Sequence, residues 1–138
     1  MSTSMICDTT IGVSLTVTSL TVTPERMIEL LPFTPTKKWA VGDAVGKSSI
    51  RRKHNGVVLA LPRESGDHLE PVVLKLLDKL EPFKQAFIHA IVNESLDCEL
   101  SCVAFFSRPP SCSFTSHTIE RIAELRLSFD FDLIMALE

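Results

Sequence analysis

Two alternating stretches joined by one helical stretch restrict the fold of this chain more than any other feature. Cys98-Glu99-Leu100-Ser101-Cys102-Val103-Ala104-Phe105-Phe106 alternates, and Leu127-Ser128-Phe129-Asp130-Phe131-Asp132-Leu133 alternates more strictly. Period two is the side-chain period of a strand, so both read as strands. Leu127, Phe129, Phe131, Leu133 and Met135 share one apolar face. Between the two strands, Pro109 and Pro110 end the first, and Thr115 or Ser116 caps a helix with Ile119, Ile122, Ala123 and Leu125 inside. Strands joined through a helix pair in parallel, so the chain needs a sheet with a helix laid on it.

The rest of the chain supplies more of both elements. Val13, Leu15 and Val17 alternate with Ser14, Thr16 and Thr18, which predicts a strand over 11–22. Thr23-Pro24-Glu25 reads as a helix start, and Pro32 and Pro35 stop that helix. Asn55-Gly56 suggests a tight turn before the short apolar strand Val57–Leu61. Arg63–Gly66 reads as a connecting loop. Leu69, Val72, Val73, Leu76, Leu77 and Leu80 recur at helical spacing, with Asp67 as the expected cap. Pro82 breaks the pattern before a second helix over 83–94 that turns Phe83, Phe87, Ile88 and Ile91 inward. The order predicts an α+β two-layer sandwich: a roughly four-stranded mixed sheet with helices packed on one face. We expect residues 1–9 to be loose and 10–138 to form a single domain.

Composition narrows the function classes. The net charge of -3 lacks the basic balance of a general phosphate-backbone binder, so nucleic acid is not expected. No apolar stretch is long enough to span a bilayer, and the N-terminus shows no secretory pattern. Cys7, Cys98, Cys102 and Cys112 follow no disulfide or zinc framework, so reduced thiols and a cytoplasmic setting are expected.

Several groups of residues invite chemistry. Gly42-x-x-x-Gly46-Lys47-Ser48 ends like a phosphate loop but is one residue short, and no strand leads into it. Arg51-Arg52-Lys53-His54, with Lys37, Lys38 and Lys47, reads as a solvated basic loop, since no aromatics interleave it. His54, His68, His89 and His117 keep no metal spacing, and Cys98 and Cys102 lie too far apart along a strand to chelate together. Asp130 and Asp132 share a strand face and, with Glu99, offer an acidic surface for a basic protein partner. Pro35, Trp39, Gly42 and Asp43 form a structural corner, with Asp43 holding backbone. No catalytic motif and no cofactor signature stand out. The leading expectation is a non-enzymatic binding protein; the alternative is a small-ligand or regulatory domain with a pocket beside Trp39, and an enzyme ranks third.

Taken in order, four segments carry a resemblance. They are Thr23-Pro24-Glu25-Arg26-Met27-Ile28-Glu29-Leu30-Leu31, the Pro35–Trp39–Gly42-Asp43 corner, Leu77-Asp78-Lys79-Leu80-Glu81-Pro82, and Ile119-Glu120-Arg121-Ile122-Ala123 leading into the Leu127–Leu133 strand. Together they resemble the bacterial family known as domain of unknown function 4279, over most of the chain from about residue 10. The resemblance implies no catalytic residues. It implies a kinship with immunity-type proteins, which bind and neutralise a toxin.

Overall fold

A computed structural model describes residues 9–135. The expectation for residues 1–9 lies outside the described residues except at Thr9, which is buried.

Among the described residues, six strands and four α-helices follow in order: β1 (Thr10–Ser19), α1 (Pro24–Leu30), β2 (Lys37–Trp39), β3 (Asn55–Ala60), β4 (Glu64–Ser65), α2 (Glu70–Leu80), α3 (Lys84–Glu94), β5 (Asp97–Phe106), α4 (Ser116–Glu124) and β6 (Ser128–Met135). They form one mixed sheet in the order β2-β3-β1-β5-β6, with β4 also pairing β1. β1 runs antiparallel to β3, β4 and β5, while β5 and β6 are parallel, as their helical crossover allows.

The four long strands are those the sequence predicts. The two additional ones are three and two residues long, too short to show a period. β2 places Trp39 in a strand rather than in an irregular loop, and β4 falls within the expected Arg63–Gly66 connection. Asn55 and Gly56 are not a turn: they open β3, opposite Ser19 and Thr18. β1 stops at Ser19, not Val22, because the Ser19 hydroxyl accepts the Thr21 and Val22 amides and closes the strand into a turn.

Odd-numbered β1 residues and even-numbered β5 residues face the helices. Val13 lies opposite Cys102, Leu15 opposite Leu59 and Leu100, and Val17 opposite Val57 and Cys98. These join Met27, Leu69, Leu76, Leu77, Leu80 and Phe87 in one apolar core. Burying each such aliphatic side chain contributes about 1.5–3 kcal/mol.

The helix ends explain themselves locally. Thr23 caps α1 by accepting the Arg26 amide, and Pro24 sits in the first turn, where no amide is needed. Thr115 caps α4 in the same way through the Thr118 amide. α2 has no side-chain cap, contrary to the expectation for Asp67. Its start is held by backbone instead: Leu69 donates to Ser111 and Ser111 donates to Asp67. Pro82 turns the chain through a 3-10 stretch, Glu81–Phe83, before α3 begins. Two residues expected inside lie outside: Phe83 is 48% exposed and Ile119 is 56% exposed. Ala123 is exposed as well.

Candidate functional site

The helices cover one face of the sheet and leave the other open. Reading across strands, one row of the open face is Trp39, Gly56, Thr18 and Asp97. The next is Lys37, Val58, Thr16, Glu99 and Ser128. Asp130 follows beside Ser101, and Asp132 beside Val103. The face is therefore divided: aromatic and basic side chains at the β2 and β3 side, a Ser and Thr strip on β1, and carboxylates on β5 and β6.

The acidic part gathers Glu99, Asp130 and Asp132, the three residues singled out in the sequence. Register adds Asp97, two residues before Glu99 on the same strand face. This neighbour was visible in the sequence by the period-two rule. Successive residues on one strand face are about 7 Å apart and neighbouring strands about 4.8 Å apart. In the order Asp97, Glu99, Asp130, Asp132, each carboxylate therefore lies within roughly a Debye length of the next, and the row forms a continuous negative strip. The Ser101 hydroxyl donates to Glu99 at 3.2 Å. Among the described residues no ion pair forms on Glu99, Asp130 or Asp132. A shallow depression of about 290 Å³ lies at this end, lined by Thr16, Thr18, Asp97, Glu99, Arg126 and Ser128. Arg126 places one cation at its rim and holds a left-handed backbone conformation at φ 59°.

The opposite part is built around Trp39. Its indole lies on Gly56 so closely that a Cβ there would sit 2.3 Å from the ring. Arg52 stacks on the same indole, 4.1 Å from its centroid. The basic loop is thus tied to the sheet at one residue. Backbone bonds lock its two ends: Gly42 donates to Arg52 and Arg52 donates to Asp43. The Asp43 carboxylate accepts the Ala40 amide at 2.9 Å, and Gly42 supplies the positive φ of 91° that the turn needs. Pro35 is half-buried just ahead of β2. Asn55, which sequence reading treats only as a turn former, is buried and bridges the corner to the turn that follows β1. Its Oδ1 accepts the Val41 amide and its Nδ2 donates to the Val22 carbonyl, both at 2.9 Å. Arg63 also reaches the open face, against Gly12 and over the Phe105 ring.

The thiols face the core. Burial pushes Cys98 up to about 12 and Cys102 up to about 11. Both are held as neutral thiols, whereas Cys112 is only half-buried. Among the described residues no three His, Cys, Asp or Glu side chains converge on a metal position. His89 and Asn93 hydrogen-bond each other at 2.8 Å in an open groove of about 880 Å³ between α1 and α3. No described helix is long and apolar enough to cross a membrane.

A two-layer α+β sandwich with one bare, charge-divided sheet face is the class of protein that fold and surface define. Over residues 9–136 the chain matches the family described as domain of unknown function DUF4279, and it belongs to that family. No curated protein and no solved structure matches it.

Proposed function

We propose that this chain is a non-enzymatic, cytoplasmic binding protein of bacterial type whose acidic sheet face meets a basic protein partner. Its role would be that of an immunity protein that masks a toxin. The observation that carries this reading is the gathering of Glu99, Asp130 and Asp132, without ion-pair partners among the described residues, on a face that no described helix covers. Side chains fixed on strands are held in place before a partner arrives, so less ordering cost falls on binding. A negative surface speeds encounter with a positive partner and repels acidic ones.

The small-ligand alternative beside Trp39 draws less support. The indole already contacts Gly56 and Arg52, so a ligand would have to displace the guanidinium.

The test is a growth-protection and co-purification assay with basic toxins encoded beside the gene. The variant carries Glu99→Lys, Asp130→Lys and Asp132→Lys together. Loss of protection with an unchanged melting temperature is expected. Wild-type protection by the folded triple variant would sink the reading.

A further inference from the structure

β6 is the last strand of the sheet and pairs only with β5 among the described strands. Over its eight residues, its outer edge therefore carries backbone N–H and C=O groups without strand partners among the described residues. The helix layer stops short of it. Phe129 is half-buried against Phe114, but Phe131 and Leu133 are each 44% exposed and Met135 is 58% exposed. These three continue the core-facing row, opposite Cys102, Ala104 and Phe106. On the other face the same edge carries Asp130 and Asp132.

We propose that β6 receives an added strand from the partner: an extended segment of about eight residues with basic and apolar side chains in alternation. This rests on the reading of the acidic face as a partner surface and names how the partner engages it. Strand addition supplies affinity through the ladder and selectivity through alternate side chains. Apolar residues of the incoming strand would extend the row of Phe131 and Leu133. Its Lys or Arg residues would lie on the open face beside Asp130 and Asp132. The aspartates decide the occupant. A second copy pairing β6 with β6 would set two acidic rows side by side, and like charges across strands are destabilising. A basic strand meets no such repulsion.

The probe is a fluorescent nine-residue peptide of alternating lysine and valine, titrated into the intact chain and followed by anisotropy and by amide hydrogen exchange. Binding with slowed exchange of β6 amides is expected. Replacing two central valines by proline keeps the charge but breaks the ladder, and should weaken binding at least tenfold. The variant Asp130→Lys with Asp132→Lys should shift preference to a glutamate–valine peptide by at least tenfold. Equal binding of the proline peptide would overturn strand addition while leaving the acidic face standing. Charge reversal without effect on the lysine peptide would overturn both. Protection at β2 instead of β6, or self-association of the unliganded chain through β6, would also overturn the proposal.

Discussion

Gly56 is required for closeness of approach rather than for backbone freedom. It opens β3 without a positive φ, and the Trp39 indole occupies the space a side chain would need. Gly56→Ala should cost about 1–3 kcal/mol, the usual range for forcing atoms into a packed site. It should also move the Trp39 emission to longer wavelength. Denaturant unfolding and the fluorescence spectrum check both; an unchanged spectrum would mean that the indole does not rest on this glycine. The pair Asn55-Gly56 looks like a turn because both residues tolerate turn geometry. Here the asparagine serves a buried two-ended hydrogen bond and the glycine a flat contact, and local sequence does not distinguish these uses. The two core thiols make a second residue-scale prediction. Their ionisation is raised from 9.0 to about 12 and about 11, so in the unfolded chain they lose protons first. The stability they contribute is complete below pH 9.0 and is lost as pH rises toward those folded values. Replacing Cys98 and Cys102 by alanine should flatten the fall in stability between pH 9.0 and the onset of alkaline unfolding, read from urea midpoints.

Helices α2 and α4 are fastened to one another by polar side chains at the surface. Glu70, in the first turn of α2, accepts the Thr115 amide at 2.6 Å, just where α4 is capped. That bond, then one from the Thr118 hydroxyl, holds the Glu70 carboxyl below its ordinary value of 4.5. Its contribution is present above pH 4.5 and is lost as pH falls through the lowered folded value. Glu70→Gln should therefore reduce the acid-side dependence of the melting temperature and leave the neutral-to-alkaline side nearly parallel to wild type. An identical acid limb in both proteins would remove this role. At the other end of the same helix, Arg121 reaches Asp78 and Glu81, and Lys84 pairs with Glu124. The Arg121 side chain is 18% exposed although its partners are 69% and 53% exposed, so Arg121→Ala removes a packed stem as well as two screened pairs and should cost about 1 kcal/mol or more by chemical denaturation. Helix and strand identities are legible because their periods are local. The exposure of Ile119 and Phe83 is not, because it depends on where the neighbouring layer ends.

Across the whole molecule the two sheet faces divide the work. One is consumed by the core and the other is left uncovered by the described helices. The acidic part of that open face predicts a salt-sensitive association: raising ionic strength should lower the rate of binding to a basic partner more than it raises the rate of dissociation. Stopped-flow measurement over a salt series checks this, and a salt-independent association rate would exclude electrostatic steering. The triple charge reversal changes the sign of the net charge of -3, so its binding should respond to salt in the opposite direction with the same partner. Glu99, Asp130 and Asp132 were legible as a group because parity along a strand assigns each to a face. That this face is uncovered, and that Arg52 and Arg63 lie on it too, was not legible. Those facts depend on strand order and on loops folding back over the sheet.

The sequence by itself determines the four long strands, the capped helices, the parallel pairing of β5 with β6, and the parity that unites the carboxylates. All of these follow from backbone geometry repeating every two or every 3.6 residues. Only the tertiary structure decides which residues meet across strands. It sets Trp39 on Gly56 and Arg52 on Trp39, and it stops the helix layer short of Phe131, Leu133 and Met135. The physical reason is that lateral register and layer width are settled by how the whole core packs, and no local period encodes them.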